Sequence, residues 1–131
     1  MMNFEEVPEF QKDVKSLKKR VKTLSSDISR VKTRIIKPLY IKGDGMSDEE
    51  HGEFRKLFFS GKKATLLSGS RDGLDIIKMR LDTDSYQFNT KLRLVCIVIK
   101  EGSTVKLIEV YSKSDKSSVD SRRVKKYLSA Q

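Results

Sequence analysis

The chain has 131 residues, a length that is enough for one modest core and predicts a single domain over residues 1–131. Of these residues, 37% are apolar and 35% are charged. With 28 Lys and Arg against 18 Asp and Glu, the formal charge is +10, which predicts affinity for polyanions as well as a highly soluble surface. The single cysteine, Cys96, excludes an intramolecular disulfide, and Cys96 and the single histidine, His51, cannot form a zinc site alone.

Two features of the hydropathy pattern bear on location. The chain lacks a run of about 18 apolar residues, so we expect no membrane span. Its opening, MMNFEEVPEF, has three glutamates and no apolar run, so we expect no secretory signal peptide. Together these features predict a cytoplasmic protein.

The first third of the chain has apolar residues at helical spacing. One stripe predicts a helix over residues 8–24 with Pro8 in its first turn. The stripe consists of Phe10, Val14, Leu17, Val21 and Leu24. Residues 25–27 interrupt the pattern, and a second helix is predicted over residues 27–37, ending before Pro38. This pattern indicates an antiparallel helical hairpin.

A longer connecting segment, residues 42–72, follows the predicted hairpin. It is punctuated by glycines, and "SGSRDG" at residues 68–73 has the composition of a loop. Ser47 and Glu50 have the spacing of a capping box, which predicts a short helix near residues 47–58.

The second half of the chain changes from helical to strand periodicity. "LDIIKMRLDT" from Leu74 alternates, with Lys78 and Arg80 on one face, and residues 92–99 form a nearly continuous apolar run typical of a central strand. Glu101-Gly102-Ser103 predicts a hairpin turn into a third strand, and residues 119–129 predict a last helix. A further short strand near residues 2–7 is an open alternative. The order predicts an α+β fold, in which an N-terminal helical hairpin packs on a small antiparallel sheet with a C-terminal helix.

Four stretches of the sequence resemble the RelE/ParE superfamily of bacterial toxins, on its RelE/HigB side. They are "VPEFQKDVKSLKK", "DIIKMRL", "LRLVCIVIKEGSTVKLIEVYSKSDKS" and "VKKYL", and the resemblance covers roughly residues 3–37 and 74–128. It implies a RelE-like fold and a small endoribonuclease that cleaves mRNA, usually at the ribosome, without a metal or other cofactor. It also implies an antitoxin protein as partner. ParE-type members instead inhibit DNA gyrase, so the residues of the site must decide between these functions.

The resemblance assigns catalytic roles to a set of basic residues. Lys78 and Arg80 match the family's basic pair, Arg93 the basic residue that opens the next strand, and Lys113 the basic position beyond the last strand. Metal-free cleavage, in which the 2′-hydroxyl attacks phosphorus, needs a base, an acid and positive charge at the developing phosphorane. We interpret Lys78 and Arg80 as phosphate binders, with Lys78 the better candidate for the base. Arg93 would stabilise the transition state, and Lys113 would contact phosphate or act as the acid.

The sequence departs from the RelE pattern at the start of the last helix, where no tyrosine lies near Val119. Tyr111 or Tyr127 could take its place, and Tyr111 completes our predicted catalytic set. Basic residues of the first and last helices are predicted to bind ribosomal RNA. They are Lys15, Lys18, Lys19, Lys22, Arg122 and Lys125.

Alternatives without catalysis remain open on the sequence alone. Lys78 and Arg80 could belong to a solvated sheet face, and Arg93 could pair with Asp82 or Asp84. Tyr111 alternates with Val105 and Leu107 and could be a core residue. The alternative functions are a gyrase inhibitor without nuclease activity and a non-catalytic basic nucleic-acid-binding protein.

Overall fold

In a computed structural model, which describes residues 2–61, 63–99 and 102–130, the chain folds around a five-stranded sheet. The strands are β1 (Asn3–Glu6), β2 (Ala64–Leu66), β3 (Leu74–Arg80), β4 (Leu92–Ile99) and β5 (Thr104–Ser112). They lie side by side in the order β1-β5-β4-β3-β2. β1 runs parallel to β5, and the other neighbouring strands are antiparallel.

The helices precede β2 or follow β5. They are α1 (Pro8–Leu17), α2 (Leu24–Val31), α3 (Lys37–Tyr40), α4 (Asp48–Ser60) and α5 (Ser121–Ser129). A π-helical turn, Lys32–Ile36, joins α2 to α3 without a break, and a short 3-10 turn, Tyr86–Phe88, lies between β3 and β4. In the described part of the chain, no helix is long and apolar enough to cross a bilayer.

Helices contact both faces of the sheet. The Tyr40 hydroxyl of α3 donates to Asp75 on one face of β3 at 2.5 Å. On the other face, a Cβ atom added to Gly69 would lie 3.1 Å from Ile76 and 3.4 Å from Leu128 of α5, so Gly69 leaves room for α5 to approach β3. We call these the α3 face and the α5 face. Because both are covered, the central strand β4 is buried along almost its whole length.

The predicted α+β class agrees with this structure, but the predicted arrangement of an N-terminal helical hairpin on an antiparallel sheet is wrong. The chain begins with a strand, β1, and the sheet is mixed because Asn3–Glu6 pairs in parallel with residues 104–107 of β5. Parallel pairing requires a long crossover connection, which here contains α1 to α4 and the rest of the sheet. A four-residue strand carries too little local pattern to indicate such a distant partner.

The predicted break between the first two helices is also displaced. The chain reverses over residues 18–23, and Leu24 begins the second helix rather than ending the first. The single apolar stripe arises because Leu17, Val21 and Leu24 are all buried on both sides of the reversal. In a regular α-helix, the Pro38 ring would clash with the preceding turn. Here the preceding turn is π-helical, so the helix continues past Pro38 instead of ending before it.

Most of the other predicted elements are confirmed. Ser47 and Glu50 form a reciprocal capping box at the start of α4, and Asp120 caps α5 through the N–H of Arg123. The predicted turn at 101–103 falls partly outside the described residues, since Glu101 is not among them. β2 was not predicted, because a three-residue edge strand has almost no periodicity to detect.

A β-bulge in β5 alters which residues share a face. Val95 pairs with Glu109, but the next residue, Cys96, pairs with Leu107, so Ile108 is an extra residue in β5. Beyond this point the alternation along β5 is shifted by one residue. Tyr111 therefore lies on the α5 face, opposite to the face that carries Val105 and Leu107.

Candidate nucleic-acid interface

Three of the predicted catalytic residues lie on the α5 face of adjacent strands. Lys78 and Arg80 are two residues apart on β3, so the pleat directs both to one side. Arg80 pairs directly with Arg93 of β4, and residues paired across strands share a face. The period-two prediction for Lys78 and Arg80 is therefore confirmed, and the register adds Arg93 to the same group.

Tyr111 extends this group to a third strand. Arg93 pairs with Tyr111 of β5, so Arg80, Arg93 and Tyr111 form one transverse row across β3, β4 and β5. We call these three residues the cross-strand row. The bulge is what places Tyr111 in it, and strict alternation with Leu107 would have placed the phenol among the core residues of the other face.

The cations of this region are not neutralised by carboxylates. Within residues 2–61, 63–99 and 102–130, no ion pair involves Lys78, Arg80, Arg93 or Lys113. Asp82 pairs with Lys63 and Asp84 with Arg30, so neither is the partner of Arg93. Instead, an Arg93 guanidinium nitrogen donates to the carbonyl oxygens of Thr90 and Leu92 at 2.9 and 3.0 Å. These hydrogen bonds hold the side chain and leave its charge available.

Tyr111 lies in a more strongly structured environment than the cations. Its side chain is 7% exposed, and the Lys116 ammonium nitrogen lies 5.0 Å from its ring centre while pairing with the Glu109 carboxylate. Burial and the nearby Glu109 carboxylate raise the pKa of Tyr111, whereas the Arg93 guanidinium acts in the opposite direction. The phenol therefore carries its proton at neutral pH.

Lys113 follows β5 directly and is exposed. Its backbone N–H donates to the carbonyl of Lys91 at 2.8 Å, which places two exposed lysines at the same end of the sheet as Arg93. Lys91 was not selected from the sequence. Its position two residues before Arg93 could have indicated it, because residues two apart on a strand lie on the same face. Lys116 was also missed, because the sequence does not indicate its contact with Tyr111.

The basic residues of α1 and the following reversal reach the same end of the molecule. Lys15, Lys18, Lys19 and Lys22 are all exposed, and Lys18, Lys19 and Lys22 belong to the reversal at residues 18–23. Arg20 of this reversal donates to the Asp115 carboxylate at 3.2 Å, and its guanidinium carbon lies 5.7 Å from the Phe88 ring centre. The Arg20–Asp115 contact thus joins the basic reversal to the turn that carries Lys113.

The other two predicted RNA-binding residues, Arg122 and Lys125, are exposed on α5. Their neighbour Arg123 faces inward, where it pairs with Asp13 of α1 and donates to the Ile108 carbonyl at 2.9 Å. The same Asp13 carboxylate accepts the Val110 N–H at 3.2 Å. Asp13 and Arg123 thereby close the β5 edge beyond its pairing with β1 and fix α5 beside the cross-strand row.

The predicted residues share a face but do not line one cavity. Tyr111 borders a hollow that also contacts Arg20, Lys116 and Arg123. Arg80 borders a different hollow, beside α2 and the end of α4, so its side chain reaches the α2 side at the end of β3 although its backbone pairs with Arg93 in the row. A ligand in either hollow would therefore contact only one end of the row.

The remaining chemistry-bearing residues do not join this surface. The His51 ring nitrogen lies 2.8 Å from the Pro38 carbonyl oxygen, and Cys96 is buried in β4, where burial raises the pKa of its thiol to about 12. Among the residues that the structure describes, no group of three or more His, Cys, Asp or Glu side chains is placed to hold a metal ion.

Comparisons with known proteins identify one structural likeness. No protein-family model matches the sequence, and no curated protein matches it. The solution structure of the conserved hypothetical protein HP0892 from Helicobacter pylori is similar to this chain, with 21% identity and a TM-score of 0.46, over 88% of this chain and 98% of that chain. A likeness of this degree assigns neither a family nor a function.

Proposed function

We propose that this protein is a toxin of a toxin–antitoxin module, a metal-independent endoribonuclease that cleaves mRNA at the ribosome. The observation that carries the proposal is the cross-strand row, in which two arginines free of carboxylate partners in the described chain lie in register with a buried phenol. Fixed positive charge beside a proton donor is what a phosphorane intermediate requires.

The proposed reaction is attack by a 2′-hydroxyl on the adjacent phosphorus. The oxygen–phosphorus bond that forms closes a 2′,3′-cyclic phosphate, and the bond that breaks releases a 5′-hydroxyl. Arg80 and Arg93 would stabilise the developing negative charge on the phosphoryl oxygens, since guanidinium groups stay charged and bind phosphate through two hydrogen bonds. Tyr111 would donate its proton to the leaving 5′-oxygen.

Lys78 is our candidate for the group that removes the 2′-hydroxyl proton. It lies on the same face as Arg80, between Thr65 of β2 and Val95 of β4 in register, and it is half-buried. A lysine acts as a base only when nearby cations or burial favour its neutral form. Lys113 would contact a flanking phosphate.

The exposed lysines of the α1–α2 reversal and the outer residues of α5 support action at the ribosome. Arg20 of the reversal and Arg123 of α5 line the hollow that Tyr111 borders. Exposed Lys and Arg of these two segments provide the sequence-independent electrostatic attraction that ribosomal RNA phosphates require. A cognate antitoxin is part of the proposal. It would silence the toxin by covering these cations.

Expression in a bacterium tests the proposal. Wild type should arrest growth and generate new mRNA 5′ ends by primer extension, whereas Arg80→Ala and Arg93→Ala should do neither. Lys56→Ala, which removes an exposed cation of α4, is the matched control and should behave as wild type. Purified protein should cleave ribosome-bound mRNA with no metal ion added beyond the magnesium that the ribosome itself requires.

Two outcomes would contradict the proposal. Growth arrest without new 5′ ends would indicate a gyrase-inhibitor type of toxin, which supercoiling assays would then reveal. Harmless high-level expression of folded wild-type protein would leave only a non-catalytic nucleic-acid-binding role.

A further inference from the structure

A second hollow lies between α2, the end of α4 and the end of β3. Its volume is about 250 Å³. The residues that line it fall into two groups, charged side chains and an apolar wall. The charged group consists of Asp27, Arg30, Arg34, Lys63, Arg80 and Asp82, and the wall of Val31, Ile35 and Phe58.

The charges around the hollow do not balance. Arg30 pairs with Asp27 at 2.8 Å and with Asp84 at 2.9 Å, and Lys63 pairs with Asp82 at 3.5 Å. In the described chain, Arg34 and Arg80 have no ion-pair partner. The hollow therefore carries two guanidinium groups whose charge is not compensated by a contacting carboxylate.

Arg80 also has a buried hydrogen-bond donor without an acceptor in the described chain. Its Nε is buried and, within the described residues, has no hydrogen-bond partner. A buried donor without an acceptor costs free energy, and more so when the group is charged. Arg80 therefore stands at the hollow at a cost to stability, and the charge of a bound anion would offset that cost.

The local backbone also marks this hollow. Arg34 and Ile35 both belong to the π-helical turn Lys32–Ile36, and such turns are frequent at functional sites because they redirect side chains within a helix. Here the turn places a guanidinium and an aliphatic side chain at one rim, with the half-buried Phe58 ring of α4 also lining the hollow.

We infer that this hollow binds a nucleoside monophosphate. Arg34 and Arg80 would bind the phosphate, and the apolar wall with Phe58 would contact the base or ribose. The volume lies just below the usual range of small-molecule sites, which limits the ligand to no more than one nucleotide. The inference stands apart from the proposed RNA cleavage, with which it shares only Arg80.

Calorimetric titration of the full chain with AMP, adenosine and inorganic phosphate tests this inference. AMP should bind more tightly than either fragment, because only AMP engages both the cations and the wall. Arg34→Gln should weaken AMP binding about tenfold, which corresponds to about 1.4 kcal/mol for one lost charged hydrogen bond. Lys12→Gln, which removes an exposed cation of α1, is the matched control and should bind AMP as wild type does.

Three results would overturn the inference. They are no detectable AMP binding, equal affinity for AMP and inorganic phosphate, and unchanged AMP affinity in a folded Arg34→Gln variant, with folding verified by circular dichroism. Because the assay contains no RNA, its outcome is separate from the primer-extension result. AMP binding without new mRNA 5′ ends would support the nucleotide site and contradict only the nuclease proposal.

Discussion

Arg80 of β3 lies directly opposite Arg93 of β4, so the sheet contains a cross-strand pair of like charges. Such pairs destabilise a sheet, and the buried Nε of Arg80 adds the cost of an unsatisfied donor. Neither arginine is compensated by a carboxylate in the described chain. A stability cost concentrated at one position of a small sheet is typical of a residue retained for binding rather than for folding.

Replacing Arg80 should therefore stabilise the protein. We expect Arg80→Leu to raise the free energy of unfolding by about 1 kcal/mol, because it removes both the like-charge pair and the orphan donor. Urea denaturation at neutral pH measures this change. Lys56→Leu, at an exposed position of α4, is the comparison and should change stability by less than about 0.5 kcal/mol. A loss of stability in Arg80→Leu would show that the arginine is structural.

The cations on the α5 face should be visible in the salt dependence of RNA binding. Each phosphate contact to a single strand contributes about 0.7 to the slope of log affinity against log salt concentration. We expect Lys113→Ala to reduce that slope by about 0.7 for a short single-stranded RNA, measured by fluorescence anisotropy. Lys106 lies near the opposite end of β5, so Lys106→Ala should leave the slope unchanged. Equal slopes for wild type and Lys113→Ala would remove Lys113 from the interface.

The contact between α1 and α5 predicts a specific acid sensitivity. Two hydrogen bonds, one from the Tyr127 hydroxyl and one from the Lys126 ammonium, lower the pKa of Glu9 from its ordinary 4.5 to about 2. Because folding depresses this pKa, the contribution of Glu9 to stability is complete above about pH 4.5 and is lost as the pH falls toward about 2. Glu9→Gln should therefore lose less stability than wild type in that window, measured by urea unfolding at successive pH values.

A second variant separates the two hydrogen bonds that lower the pKa of Glu9. Tyr127→Phe removes the phenol hydrogen bond but keeps the Glu9 charge and its contact with Lys126 at 2.9 Å, so its pH dependence should lie between those of wild type and Glu9→Gln. Identical pH profiles for all three proteins would refute the assignment.

Asp27 should be among the most sensitive positions for folding. Its carboxylate is 1% exposed and accepts hydrogen bonds from the Thr23 and Thr83 hydroxyls, the Asp84 N–H and Arg30. Asp27→Ala should lower the free energy of unfolding by about 3 kcal/mol, since it leaves several buried donors unsatisfied. Asp48→Ala, whose carboxylate is 96% exposed, should cost far less. Equal urea midpoints for the two variants would contradict this role.

Local periodicity was sufficient to predict the elements with strong patterns. The alternation around Lys78 and Arg80 and the Ser47–Glu50 capping box both act within a few residues, and both are confirmed. The parallel pairing of β1 with β5 depends on contacts about 100 residues apart. Nothing within Asn3–Glu6 encodes that partner, so the mixed sheet could not be predicted.

In the candidate site too, only the features set by local periodicity could be predicted from the sequence. Period two placed Lys78 beside Arg80, but the alignment of Arg80 with Arg93 depends on the strand register, and the face of Tyr111 depends on a bulge that has no residue signature. Contacts such as that between Arg20 and Asp115 join residues 95 positions apart and are set only when the chain is folded. The hollow beside Arg34 likewise depends on a π-helical turn that the helical pattern does not distinguish from an α-helix.

The extra residue at Ile108 has a consequence for how this surface could have arisen. Deleting that residue would leave both halves of β5 in their present register, because Leu107 would still pair with Cys96 and Glu109 with Val95. Tyr111 would therefore stay opposite Arg93, now in a strand without a bulge. A regular ancestral strand could thus have gained one residue by insertion between Leu107 and Glu109 without moving the phenol away from the arginines.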